Sequence, residues 1–285
     1  MERYLLVSPN CSDLATPNFE LKQFQDGESY LRIPQLSELK DKHVVLLHRI
    51  YPKQNTSIIQ LLQAVSVVKP MASRLTAIVP YLSYARQDKE VYPGEALTAR
   101  LLSRLSVNAG LDELVTFDCH FIKRGPGKHT HEGLSIDHRT IMPQLLDYVR
   151  PKAENPILVS PGKGAAYMVK KEGGVVMEKT KFDYSSGNII LRVTEEEKLD
   201  FDVSGRDVII LDDMIAAGET MIAAVKACKK GGARRIICTA VHGLLVGYAF
   251  DKIRAAGARE VIVSDSVPGP ASQVSIMTGL KDYLE

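Results

Sequence analysis

In Val208-Ile209-Ile210-Leu211-Asp212-Asp213-Met214-Ile215-Ala216-Ala217-Gly218-Glu219-Thr220, a continuous apolar run meets two carboxylates, then small residues, then the start of a helical pattern that continues from Met221 to Lys229. A short β-branched run with no polar alternation is the mark of a strand buried on both faces, as in a parallel sheet. Strand, loop and helix in that order form one βα unit, and in open α/β sheets ligands bind beyond the carboxyl ends of the strands. Ala216, Ala217 and Gly218 let backbone N–H groups approach an anion closely, Thr220 adds a hydroxyl, and the helix start adds partial positive charge. Asp212 and Asp213 are placed to accept hydrogen bonds from vicinal sugar hydroxyls and to hold a hydrated Mg²⁺. The plainer alternative is an acidic turn that only caps a helix.

Outward from this segment, the chain repeats itself. Leu5-Leu6-Val7-Ser8-Pro9 returns as Ile157-Leu158-Val159-Ser160-Pro161, and Val44-Val45-Leu46-Leu47 returns as Val208-Ile209-Ile210-Leu211. Leu75 to Val79 matches Ile236 to Val241, and Gly110 to Asp118 matches Gly257 to Asp265. One such match means little, because apolar strands look alike; four in the same order indicate two copies of one α/β unit. Each copy is expected to have a mainly parallel sheet flanked by helices. The boundary falls in the unrepeated residues between Phe121 and Asn155, giving lobes of 1–143 and 144–285. There, Gly125-Pro126-Gly127 reads as a turn in a mobile loop, Thr140 to Val149 as a helix, and Thr278 to Glu285 as a terminal helix that packs back on the first lobe.

With 285 residues, 45% hydrophobic and 25% charged, the chain has the composition of a folded protein of two domains. A formal charge of +2 does not point to nucleic acid or membrane surfaces, so any anion site must be local. The longest apolar runs are strand-length, well short of the roughly 20 residues of a membrane helix. No leader pattern opens the sequence, and Cys11, Cys119, Cys228 and Cys238 show no CxxC spacing, so reduced cytoplasmic thiols are expected. His129, His131 and His138 cluster with Glu132 and Asp137, but the Gly-Pro-Gly neighbourhood reads as a mobile loop and a closed site needs converging ligands, so no zinc ion is assigned.

The LDDMIAAGET segment resembles the phosphate loop of the type I phosphoribosyltransferase fold, and three first-lobe motifs narrow the resemblance. Phe24-Gln25-Asp26-Gly27-Glu28 is similar to an F-x-DGE segment, Tyr84-Ala85-Arg86-Gln87-Asp88 to a YARQD segment, and Asp118-Cys119-His120 to a D-x-H segment of the ribose-phosphate diphosphokinase (PRPP synthase) family. The resemblance spans nearly the whole chain, with some likeness to the shorter archaeal members in Lys89 to Glu95. It implies two tandem phosphoribosyltransferase-like domains, of which only the second keeps the acidic pair; the first has His48-Arg49 there. It also implies transfer of the diphosphoryl group of MgATP to ribose 5-phosphate. ATP would be bound by Phe24, Asp26, Gly27, Glu28, Arg86, Gln87, Asp88 and His120, with His120 also a Mg²⁺ ligand. Ribose 5-phosphate would be bound by Lys181, Asp212, Asp213, Ala216, Ala217, Gly218, Glu219 and Thr220. MEKTKFD, Met177 to Asp183, is similar to the catalytic loop of the family, with Lys179 and Lys181 as catalytic cations. A homo-oligomer is implied, with the ATP site completed by a neighbouring subunit.

The sequence departs from that family at several positions. Gly162 and Lys163 stand where an aspartate is usual after Ser-Pro, Lys181 where an arginine is usual, and Ala217 and Glu219 break a Thr-Gly-Gly-Thr loop. These changes leave a catalytically weak regulatory paralogue as an alternative, and a phosphoribosyltransferase as a more distant one.

Overall fold

The computed structural model describes residues 2–122, 125–162, 165–177 and 199–284. It divides into two units, one of Met1–Thr140 with Met277–Glu285 and the other of Ile141–Ile276. The first unit opens with β1 (Arg3–Val7), a separate antiparallel hairpin of β2 (Glu20–Gln23) and β3 (Ser29–Arg32), then β4 (His43–Leu47). It continues through α1 (Gln54–Val68), β5 (Arg74–Ile78), α2 (Thr98–Ala109), β6 (Glu113–Phe117), β7 (Gly127–His131) and β8 (Leu134–Arg139). The sheet order is β1-β4-β5-β6-β8-β7, parallel except for β7. Leu46, Leu75, Ile78 and Phe117 are fully buried, as the apolar runs of strands covered on both faces require. Gly110 ends α2 at φ +104°, the left-handed C-cap for which its position after the helical pattern qualifies it.

The second unit contains α3 (Met142–Val149), β9 (Ile157–Ser160), α4 (Ala166–Lys171), β10 (Val175–Val176), β11 (Asp207–Ile215) and α5 (Glu219–Lys230). β12 (Arg235–Gly243), α6 (Ala249–Ala256), β13 (Glu260–Ser264) and β14 (Ser272–Val274) complete it. The final helix, α7 (Lys281–Leu284), belongs to the first unit. The sheet runs β10-β9-β11-β12-β13-β14, with every pairing parallel. The repeated segments are therefore β1, β4, β5 and β6 in one sheet and β9, β11, β12 and β13 in the other, in the same neighbour order.

Between Phe121 and Asn155 the expectation of a turn in a mobile loop is corrected. Gly127 opens β7, and His129 and His131 lie on that strand opposite Ile136 and Leu134 of β8. This hairpin escaped notice because β7, at the sheet edge, is mostly exposed and reads Gly-Lys-His-Thr-His, without an apolar face. His129 and His138 both approach the Gly125 carbonyl, at 3.1 and 2.8 Å, and the Cys119 N–H donates to His138 Nε2 at 3.0 Å. These contacts make the histidines braces of the hairpin.

Candidate active site

β11 reaches Ile215, beyond the acidic pair, because Met214 and Ile215 still pair with His242 and Gly243 of β12. Asp212 and Asp213 consequently lie inside the strand, where successive side chains leave by opposite faces. Asp212 is half-buried and Asp213 buried, and Asp212 Oδ1 accepts from the Asp213 N–H at 3.0 Å. The strand therefore does not end at the acidic pair, as the sequence suggests, but runs on to Ile215.

The loop itself is tied down through its carbonyls. Ile215 O accepts from the N–H groups of Leu244 and Leu245 at 3.0 and 3.1 Å, and Ala216 O accepts from Val246 at 3.1 Å. Among the described residues, the amides of Ala216, Ala217 and Gly218 have no acceptor, and α5 starts without a side-chain cap. Donors left over at a helix start form an anion seat. Gly218 holds the corner at φ +87°, and a Cβ there would lie 3.1 Å from Ala249 Cβ and 3.3 Å from Ile253 Cδ1 of α6. Thr220 is half-buried within the first turn, whereas Glu219 is exposed. The segment after β12, which supplies three of the tethering N–H groups, was not singled out in the sequence; nothing in Leu244-Leu245-Val246 marks it locally. At Gly162, where the family usually has an aspartate, the carbonyl accepts from the buried Ser160 Oγ at 2.7 Å.

The equivalent edge of the first unit is filled by its own side chains. Arg49 is buried and grips Asp13 with both guanidinium ends, Nη2 to Oδ2 being 3.0 Å, while Asn10 Nδ2 donates to Arg49 O at 2.7 Å. His48 is fully buried; Nε2 lies 2.8 Å from Ser57 O and Nδ1 3.0 Å from Ser8 Oγ. The carbonyl can only accept, so Nε2 carries the proton and Nδ1 accepts from Ser8. Burial pushes the His48 imidazole down to about 4.

The three first-unit motifs fall on loops. Phe24 to Glu28 form the β2–β3 tip, closed by Phe24 N–H to Glu28 O at 2.8 Å and Gly27 N–H to Phe24 O at 3.0 Å. Gly27 sits at φ +98°, and Phe24, Asp26 and Glu28 are exposed. Arg86, Gln87 and Asp88 follow β5, and His120 follows β6; these strands are parallel neighbours, so both motifs leave the same carboxyl edge. Arg86 is exposed with no acidic partner among the described residues, while Gln87 takes the Thr98 hydroxyl on its Oε1 and the Ala99 N–H on its carbonyl at 3.2 Å. His120 is half-exposed. Lys179 and Lys181 lie outside the described residues; Met177, the last before them, follows β10 at the carboxyl edge of the second sheet. Among the described residues, no three His, Cys, Asp or Glu side chains converge to hold a metal unaided.

Two repeated parallel α/β units, one with an open amide loop beside an acid-bearing strand and the other with that position filled, define a protein of two like units that differ at this loop. Comparison makes this specific. Residues 10–110 match the model of the N-terminal domain of ribose phosphate pyrophosphokinase, and residues 192–280 match that of the phosphoribosyl synthetase-associated domain. The chain is 32% identical to "Ribose-phosphate pyrophosphokinase" of Sulfurisphaera tokodaii, over 90% of this chain and 87% of that one. It is also 32% identical to the protein of the same name from Methanobrevibacter smithii, over 93% and 91%. A crystal structure of phosphoribosylpyrophosphate synthetase from Mycobacterium smegmatis superposes with a TM-score of 0.81 at 26% identity, covering 100% of this chain and 98% of that one. The chain belongs to the ribose-phosphate pyrophosphokinase family.

Proposed function

We propose how the residues of this chain divide the work of the family reaction, in which the diphosphoryl group of MgATP passes to the 1-hydroxyl of ribose 5-phosphate, giving PRPP and AMP. Ala216, Ala217, Gly218 and Thr220 hold the 5-phosphate, Asp212 and Asp213 act toward the ribose hydroxyls, and Lys181 neutralises phosphate charge as a point cation. Arg86, Gln87, Asp88 and His120 hold ATP. The exposed β2–β3 tip, with Phe24, Asp26, Gly27 and Glu28, completes the nucleotide site of a neighbouring subunit in a homo-oligomer. The observation that carries this reading is the row of unaccepted amides at Ala216–Gly218, fixed by a glycine that no side chain can replace without strain.

The ribose 1-oxygen bonds to the β-phosphorus while the bond from that phosphorus to the α,β-bridging oxygen breaks, and AMP leaves with the bridging oxygen. No covalent enzyme intermediate is needed, so rate enhancement comes from position and from cations directed at developing charge. Mg²⁺ suits a site without a protein-only cage, because it keeps water and substrate phosphates as ligands; His120 is the donor that would hold the Mg²⁺ of MgATP. When bound, it offsets charge on the phosphoryl oxygens. The four free, buried cysteines support a reducing, cytoplasmic setting. Among the described residues, no helix is long and apolar enough to cross a membrane.

A coupled AMP-release assay with ATP, ribose 5-phosphate and Mg²⁺ tests the reading. Lys179→Ala should lower turnover on the order of a hundredfold, about 3 kcal/mol of transition-state stabilisation. Unchanged turnover in the variant would remove Lys179 from the mechanism, and absence of AMP from the parent protein would leave the regulatory reading.

A further inference from the structure

At the opposite end of the second sheet, Lys229, Arg234, Arg235 and Arg259 line, with Ala233, Ile236 and Gly257, a half-open cavity of about 320 Å³. Arg235 is the first residue of β12 and Arg259 immediately precedes β13, so this cavity lies at the amino edge of the strands. β12 runs from Arg235 to Gly243, which at about 3.3 Å per residue puts the phosphate-loop edge roughly 25 Å away.

The cations are held in unequal ways. Arg234 Nε donates to Asp207 Oδ1 at 2.8 Å and its Nη2 lies 2.9 Å from the exposed Glu154. Arg235 donates from Nη1 to the Lys152 carbonyl at 2.5 Å, with its Nε 3.9 Å from Asp207 Oδ2. Asp207 itself is fully buried, so it anchors both guanidinium groups from beneath. Lys229 crosses the face of Gly257, where an added Cβ would come 2.9 Å from Lys229 Cδ, and the backbone there is at φ +127°. Neither Lys229 nor Arg259 has an acidic partner among the described residues, and four cations against Asp207 and Glu154 leave two positive charges uncompensated. In a chain with a formal charge of only +2, this is a local concentration in a concave site, not a basic stripe of the kind that tracks a nucleic acid.

We propose that this cavity is a second anion site, separate from the phosphate loop, that takes a compact phosphate-bearing anion of charge −2 or greater. The Arg259 guanidinium, without an acidic partner among the described residues, can meet two phosphate oxygens as a fork, Lys229 adds a point charge, and the cavity volume suits a small ligand. The ligand group is the same whether it is free phosphate, free diphosphate or a phosphoryl group on a small metabolite.

The test is a titration of the full chain, ¹³C-labelled at isoleucine methyls, with inorganic phosphate and inorganic diphosphate, without Mg²⁺ and at ionic strength matched with NaCl. Ile236 reports the new cavity and Ile215 the phosphate loop. The expected result is a saturable Ile236 shift, tighter for diphosphate than for phosphate, weakened about tenfold or more in K229Q/R259Q while the Ile215 response persists. Because Lys229 and Arg259 are exposed, the variant is expected to fold, and R259K beside it should retain part of the affinity. The proposal falls if Ile236 stays silent while Ile215 shifts, if NaCl alone moves Ile236 as far, or if K229Q/R259Q binds like the parent. A silent Ile215 beside a responding Ile236 sustains the second site and counts instead against the phosphate-loop reading.

Discussion

Gly218 carries two constraints at once, a backbone at φ +87° and α6 packed within 3.3 Å of where a Cβ would stand. Gly218→Ala should therefore shift the loop amides, raising the KM for ribose 5-phosphate about tenfold or more and lowering stability by about 1–2 kcal/mol. Steady-state kinetics and urea midpoints check both. His48 offers a titration at a position without a catalytic assignment. Its folded imidazole, near 4, lies below the ordinary 6.5, so the unfolded chain takes up a proton first as pH falls. The stabilisation is complete above about pH 6.5 and is lost as pH falls toward 4, on the order of 3 kcal/mol across that window. His48→Gln should flatten that part of a plot of urea midpoint against pH; an unchanged slope would assign the loss to other groups. At this scale the motif residues were legible, because each carries its chemistry in its side chain. The continuation of β11 past its acids was not, since it depends on pairing with β12.

Among the elements, α7 shows how a short segment is held by a few strong contacts. Tyr283 donates toward Asp137 Oδ2 at 2.8 Å, with Glu113 Oε2 at 3.2 Å, and Arg139 lies 4.7 Å over its ring while binding both Asp282 oxygens at 2.6 Å. Burial first, and then the bond to Asp137, push the Tyr283 phenol above its usual range. Tyr283→Phe leaves the buried Asp137 carboxylate short of a donor and should lower stability by about 1–3 kcal/mol at neutral pH. An unfolded tyrosine ionises near 10 and the folded one does not, so the parent also loses stability as pH rises beyond about 10. The variant should lose that alkaline slope, and denaturant titrations at pH 8 and pH 11 separate the two effects. The core strands were legible from their apolar runs. The β7–β8 hairpin was not, because an edge strand has no need of an apolar face.

For the whole molecule, the chain's two ends meet in the first unit, since Met277–Glu285 joins Met1–Thr140. Removing residues 277–285 should therefore destabilise the first unit and spare the second. Amide exchange in β6 and β8 is expected to speed by roughly thirtyfold, about 2 kcal/mol of local stability, with β11 to β13 unchanged. Uniform acceleration across both sheets would contradict that division. The order of residues was enough to establish a duplicated α/β chain and the family motifs in the first copy, and to single out the small-residue corner after β11, because apolar runs, small-residue corners and charged groups act over a few neighbours. Three-dimensional packing alone determined that β11 continues past its acids, that Arg49 fills the first copy's vacant seat, and that four cations remote in function from the phosphate loop surround one cavity. Those outcomes depend on strand pairing and on which loops meet at a sheet edge, contacts between residues far apart in the chain that no local pattern encodes.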